Sequence, residues 1–392
     1  MRSRSRMAPP RNRAGRLLLG AMAFTLVVAL AAPAPVSAQI LDFDGTLLTD
    51  DDDFQDMPSV WNGAVVWSDL RNGNRDIYRH DSALDQNVPV CTATGEQYGP
   101  KISDDYIVWR DARGVSYDIY GYDRATEAEF PICTDPAAQH APDLYERYVV
   151  WHDYRNGNTD IYAYDLLLDE EFPVCVATGD QQYPAVWGDT FVWLDYRMNP
   201  GGDIWYWDAS VGGPPWPLIM NAYDKLWIDI CQEWVVWAER SLTTDWDIKA
   251  YNLSTDVTRT VHSGPGSQQN PSIDGDWLVF ENIQPGEPDI EFYDIMNSTF
   301  YDTWTDLNLS FEPDIQSGAI VNRQGTAGGA EIAIGGPSWA HDAQEIWGST
   351  RYQTAAAIAL AAFPQGADTV LIATGENFPD ALGAAALAGQ EN

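Results

Sequence analysis

An all-β ring of seven four-stranded repeats is the fold class that this sequence predicts, and three observations predict it. The first is a period. Apolar triplets end at Trp67, Trp109, Trp151, Trp193, Trp237 and Phe280, and "AIV" precedes Asn322, at spacings of 42, 42, 42, 44, 43 and 42 residues. The second is what each period holds. Nine residues before the markers stand Pro58, Pro100, Pro142, Pro184, Ile228, Pro271 and Pro313, and nine or ten after them come "DIY", "DIW", "DIK", "DIE" or "EIA". The third is that no long helical period appears before residue 350. Forty-odd residues carrying four short antiparallel strands is the arithmetic of a β-propeller blade. Stacked β-sandwiches would repeat about every 100 residues.

In chain order, residues 1–38 read as a signal peptide. Six arginines precede the apolar "LLLGAMAFTLVVALAA", and small residues at 36–38 offer a cleavage site after Ala38. The apolar core is short for a membrane-spanning helix, so the mature chain is expected to be exported, with no membrane after cleavage.

Next comes "ILDFDGTLLTD", residues 40–50. Its Asp42-x-Asp44-Gly-Thr resembles the nucleophile loop of haloacid-dehalogenase-type phosphatases. A phosphatase would need helical crossovers behind that loop, and β-repeats follow instead. Counting back from Pro58 sets Thr46, Leu48 and Thr49 level with Val88, Val90 and Cys91 of the first repeat. The seventh repeat lacks a fourth strand after "EIAIGGP". The segment is therefore expected to supply that strand and close the ring, which removes an open sheet edge.

The propeller spans 39–336, with units starting near 58, 100, 142, 184, 228, 271 and 313. A Pro-started strand is followed by the marker strand and a turn such as "RNGN", whose Asn-Gly supplies hairpin φ angles. An alternating strand such as "DIYAYD" and a last strand such as "EFPVCVATG" complete the unit. Cys91, Cys133 and Cys175 recur at the period. Equivalent positions in neighbouring blades lie too far apart for the ~6 Å Cα separation of a disulfide, so they read as small buried residues. Cys231 sits elsewhere in its repeat, and its pairing stays open.

The four pairs Asp69/Arg71, Asp111/Arg113, Asp153/Arg155 and Asp195/Arg197 stand two apart in extended chain, on one face. They are expected to be repeated structural ion pairs. Calcium in the Asp/Asn-rich hairpins is the alternative. No catalytic constellation emerges: the five histidines share no metal-ligand spacing, and no Gly-x-Ser-x-Gly elbow occurs. Trp205, Trp207 and Trp216, around the "VGGPPWP" insertion, depart from the pattern and are the candidates for ligand contact.

"WSDLRNGNRDIYRHD" and "WHDYRNGNTDIYAYD" resemble the repeats of TolB-like, WD40-type propellers. After a linker at 337–346 the composition turns Ala-rich. Residues 347–392 read helix, strand, helix, the start of a Rossmann-like or flavodoxin-like α/β unit. Arg351-Tyr352-x-Thr354-Ala355 and Phe378-Pro379-Asp380-Ala381-Leu382 resemble the cell-wall-binding repeat of Gram-positive surface proteins. That resemblance implies an anionic wall polymer as partner and the cell-wall surface as location. The chain stops about halfway through one copy, so the unit is expected to be incomplete.

The chain has 22 basic and 58 acidic residues. Six of those bases lie in 1–38, leaving 16 against 58 and a formal charge of −42. Such a surface repels nucleic acid and polyphosphate. The sequence thus points to an exported, cofactor-free binding or interaction protein, its propeller holding an unknown protein or carbohydrate ligand. A propeller glycoside hydrolase or polysaccharide lyase is the alternative, and a calcium-stabilised structural surface protein the second.

Overall fold

The computed structural model describes residues 43–49, 53–82, 84–241, 245–284, 287–301, 310–325 and 330–337. They form seven four-stranded antiparallel sheets. Blade 1 runs outward from the axis through Gln55–Trp61, Ala64–Asp69, Asp76–Asp81 and Gln86–Cys91. Its inner strand is followed around the ring by Gln97–Ile102, Gln139–Tyr145, Gln181–Trp187, Asp224–Cys231, Ser267–Asp274 and Ser310–Gln316. Each packs on the next, and the last packs on the first. The described residues contain no helix.

Blade 7 is completed from the other end of the chain. Phe43–Leu47 lies antiparallel to Ala330–Pro337 as the outermost strand, with Thr46 opposite Ile334. In blade 1 Val88 lies opposite Arg79 in the same register. The Leu48 N–H donates to the Ile332 carbonyl at 2.8 Å, and the Ile332 N–H donates to Thr49 Oγ1 at 2.9 Å. Residues 1–38 and 337–392 lie outside the described residues except for Pro337, and so do the proposed signal peptide, Asp42 and the α/β unit.

The core consists of seven apolar clusters, one at each junction between blades. Trp109 packs against Val66, Ile77 and Val90 of blade 1, and Trp151 against Val108, Ile119 and Ile132 of blade 2. The ring closes where Trp67 meets Ala319, Val321 and Ile332 of blade 7. All five marker tryptophans are fully buried. An indole buries 150–250 Å², so at about 25 cal/mol per Å² each contributes roughly 4–6 kcal/mol before side-chain entropy. The period of the sequence is thus the period of its blade interfaces.

Inner strands leave one edge without a strand partner, and side chains of the preceding blade take up those N–H groups. Asp143 accepts from Val186 N, Asp229 from Ile273 N and Asp314 from Val60 N, each at 2.9 Å. Lower down, Gln316 accepts from Asn62 N at 2.6 Å and Asp274 from Ser317 N at 2.6 Å. The acidic residues around the axis thereby sew adjacent blades together.

Candidate ligand site at the mouth of the ring

Every inner strand carries a bulge one residue before its proline or Ile228. Met57, Gly99, Ala141, Tyr183, Trp227, Asn270 and Glu312 sit there with φ between 46° and 55°. Such a left-handed residue breaks the strand register and re-aims side chains, here into the axial opening. With the residues behind them they line a central cavity of about 660 Å³. At the opposite end Trp61, Tyr145 and Trp187 crowd the axis, with ring centroids 5.7 and 5.3 Å apart. The wide entrance is therefore on the bulge side.

The cavity wall does not repeat. Arg110, His140 and His152 line it in blades 2 and 3, with Tyr98, Tyr154 and Tyr183. Arg110 Nη1 lies 3.0 Å from His140 Nδ1, and its guanidinium stacks 4.5 Å over Tyr98 and 4.7 Å over Tyr117. The His140 and His152 rings are 5.7 Å apart. Burial, then the Arg110 charge, lowers the pKa of His140 to about 4. Burial, then His140 and Arg110, lowers that of His152 to about 3. Both imidazoles are neutral at pH 7.

Acids line the cavity as well: Asp143 in blade 3, on the same strand as His140, and Asp229, Asp314 and Glu312 in blades 5 and 7. Burial, opposed by Lys101, lifts the carboxyl of Asp229 to about 7. Lys101, 3.9 Å from Asp143, reaches into the cavity with 41% of its side chain exposed. Burial works against its charge, but Asp314, Asp143 and Asp229 outweigh that and hold it protonated.

The repeated Asp-Arg pairs lie away from this cavity, between blades. Asp69, Asp111, Asp153 and Asp195 are fully buried. Each accepts from the Nε1 of its marker tryptophan, at 2.9, 2.8, 3.0 and 3.4 Å. Each also meets its arginine, Arg71, Arg113, Arg155 or Arg197, at 2.5–2.7 Å. Arg113, Arg155 and Arg197 reach back to Cys91, Cys133 and Cys175 of the preceding blade at 3.0–3.1 Å. All four cysteines are buried and free, Cys231 included. Burial raises the Cys91 and Cys133 thiols to about 12.

The same arginines cover aromatic rings of the third strand. Arg71, Arg113 and Arg155 lie 4.0–4.2 Å over Tyr78, Tyr120 and Tyr162, and Arg197 lies 4.1 Å over Trp205. Trp205 thus holds the place of the repeat's tyrosine. Trp207 packs on Phe172 and Phe191 and donates to the Gly213 carbonyl at 2.9 Å. Trp216 pairs across from Tyr206, on the sheet face opposite Trp205 and Trp207. The structure does not bring these three tryptophans together, and none lines the central cavity.

In the hairpins, oxygen clusters are filled by amides of the chain. Asn158 Nδ2 lies 2.7–3.1 Å from Thr159 O, Asp160 Oδ1, Ala177 O and Gly179 O, which share its two N–H donors, and Asn74 Nδ2 has the equivalent neighbours in blade 1 at 2.6–3.4 Å. Where a calcium ion would need those oxygens free, a side-chain donor already occupies them. Among the described residues no three His, Cys, Asp or Glu side chains converge in a metal-binding group.

Several solved structures are similar to this chain. An oligogalacturonate lyase from Vibrio parahaemolyticus is 14% identical, with a TM-score of 0.59 over 78% of this chain and all of that one. The propeller domain of the Trilobed protease from Pyrococcus furiosus is 13% identical, with a TM-score of 0.58 over 72% of this chain and 93% of that one. TolB from Acinetobacter baumannii is 15% identical at a TM-score of 0.46, and the match spans 58% of each chain. No curated protein sequence matches the chain. At such identities the likeness is one of fold, that of a β-propeller, and the seven blades are read from this chain's own sheets. Residues 345–392 match a family model, Cell wall binding domain 2. The chain joins a propeller to a segment of that wall-binding family.

Proposed function

We propose that this is an exported protein held on the bacterial cell wall, with the propeller as its ligand-binding head and the central cavity as the binding site. The match of residues 345–392 to the wall-binding family carries the location, and a signal peptide at 1–38 fits the same route. With Arg351, Tyr352, Thr354, Phe378, Pro379 and Asp380 as motif residues, that segment contributes to holding an anionic wall polymer.

The recurring acids support binding rather than turnover. Each buried Asp of the Asp-x-Arg motif is already bonded to an indole, a backbone N–H and a guanidinium, which is the work of a structural ion pair. The place where the repeat breaks is the cavity wall of blades 2–4, and a break in a repeat is where one ligand would be read. Turnover of polysaccharide is the competing reading, and the propeller enzymes of similar fold are too distant to supply its chemistry.

Two experiments test this. Antibody raised against the propeller should find the protein in the wall fraction of its source cell, and a cytosolic protein would contradict the proposal. The purified chain, mixed with wall and environmental polysaccharides, should retain some of them without shortening them. Release of cleaved product would overturn the binding role.

A further inference from the structure

Arg110 differs from the other arginines in how its charge is met. Arg75 pairs with Asp56 at 2.9 Å, Arg113 with Asp111 and Glu129 at 2.7 and 2.8 Å, and Arg240 with Asp224 at 3.1 Å. Arg124 and Arg259 cap backbone carbonyls at 2.5 and 2.6 Å. Arg110 has neither kind of partner among the described residues: its hydrogen bond is to an imidazole, its faces are covered by two tyrosines, and its Nε is buried without an acceptor. In a chain of formal charge −36, a half-buried guanidinium that meets neither a carboxylate nor a carbonyl among the described residues stands apart. Desolvating an unpaired charge is costly, and a bound anion would remove that cost.

The neighbouring imidazoles are set to donate as well. Arginine offers only donors, so His140 Nδ1 must be the lone pair facing Arg110, which leaves its proton on Nε2. His152 Nδ1 accepts from Tyr183 N at 3.3 Å, and its proton is likewise on Nε2. Arg110, His140 and His152 give this arc of the cavity its donors, and its one carboxylate, Asp143, is engaged by Val186 N at 2.9 Å and lies 3.9 Å from Lys101.

The far side is the opposite. Asp229, Glu312 and Asp314 offer acceptors, suited to hydroxyl groups. A planar two-oxygen anion matches a guanidinium edge, while a doubly charged phosphate would meet the acidic floor at higher cost. Tyr154 and Tyr183 flank His152 at 6.0 and 5.7 Å with more than 40% of their surface exposed, which leaves aromatic surface for a sugar ring. The cavity volume falls within the 300–1,000 Å³ usual for small-ligand sites.

We propose that blades 2–4 form a carboxylate subsite centred on Arg110, and that the ligand is an acidic saccharide whose carboxylate faces Arg110, His140 and His152 while its hydroxyls face Asp229, Glu312 and Asp314. This rests on the central cavity being the binding site. The test is calorimetric titration of the whole chain with glucuronate and galacturonate disaccharides, with the same disaccharides reduced at the carboxyl to neutral hexoses, and with a dipeptide bearing a free C-terminal carboxylate.

An acidic disaccharide should bind at least 10-fold more tightly than its reduced counterpart. Arg110→Met should remove that preference. Arg110→Lys, which keeps the charge and loses the fork, should restore only part of it and guards against a folding defect in the first variant. Equal binding of acidic and reduced sugars, unaffected by Arg110→Met, would overturn the carboxylate subsite while leaving the cavity as the ligand site. Binding of the dipeptide but of no sugar would overturn the saccharide. No binding of any probe, with a polysaccharide still retained by the chain, would overturn both the subsite and the cavity reading.

Discussion

At Asp153 a fully buried carboxylate accepts from the Trp151 indole, the Arg155 backbone and the Arg155 guanidinium, while Arg155 in turn covers Tyr162 and reaches Cys133. Removing it leaves two buried donors, the indole and the Arg155 N–H, without an acceptor and takes from the guanidinium one of its two carboxylates, Glu171 being the other. Asp153→Ala should therefore cost about 3–5 kcal/mol, against less than about 0.5 kcal/mol for Ala at the exposed Glu170, both read from urea midpoints. The Asp-x-Arg pairing was legible from its recurrence, but not for the reason of a shared strand face: each marker strand ends at its Asp, and the Arg stands in the following turn, its N–H and guanidinium folding back onto the carboxylate. The indole, the thiol and the ring beneath the guanidinium were not, since they come from other strands and another blade. Trp205 looked irregular for that reason: its "DIW" aligns with "DIY", and only the Arg197 stack shows the two doing the same job. The mouth histidines give a second test at this scale. Their folded pKa values lie below the ordinary value near 6.5, so they favour the folded state above pH 6.5 and that contribution is lost as pH falls toward 4. Asp229, raised to about 7, acts in the opposite direction, so bulk stability mixes the two. Histidine proton shifts separate them: His140 and His152 should keep neutral-imidazole shifts down to pH 5 in the wild type, and Arg110→Met should move the His140 midpoint upward.

For single elements the most informative one is the strand Phe43–Leu47. It was legible by counting back one period, because a repeat that begins with its last strand leaves a spare strand at one end and a gap at the other. Thr49 shows why the register holds. It takes the position of the repeat's cysteine, is buried, and bonds both Ile332 N and Gln55. Deleting residues 39–50 should lower the melting temperature of the whole ring, since blade 7 would expose Ala330–Pro337 as an open edge. An unchanged melt would contradict closure by this strand. The hairpins carry the other prediction of this scale. Because Asn74 and Asn158 amides fill the oxygen clusters of their turns, chelator should leave the melting temperature unchanged, and a drop of several degrees would restore the calcium reading. The tight links also depend on glycine: a Cβ on Gly95, at φ 95°, would sit 2.5 Å from the Ala112 carbonyl oxygen.

The ring as a whole was readable because every blade buries its marker against its neighbour, which forces the same residue types to recur every 42 residues. The mouth was not readable in that way. A binding wall is made from positions where the repeat differs, and differences at one residue per blade look like drift in a single sequence. Arg110 and His152 each follow a marker tryptophan, and His140 follows a repeated glutamine. Three such departures in adjacent blades, superposed on the period, were the available signal, and none of them has metal-ligand spacing. Under the proposed function a ligand enters this mouth and is held without being cut. Ala141 sits at the bulge position that holds Trp227 in blade 5, so the backbone there accepts an indole. The most direct test is binding of a retained polysaccharide fragment to the wild-type chain and to Ala141→Trp, with the same mixtures assayed for shortened product. Saturable binding to the wild type, no product, and loss of binding in an Ala141→Trp protein of unchanged melting temperature is the predicted result. Undiminished binding by that variant, or cleavage by the wild type, would contradict it.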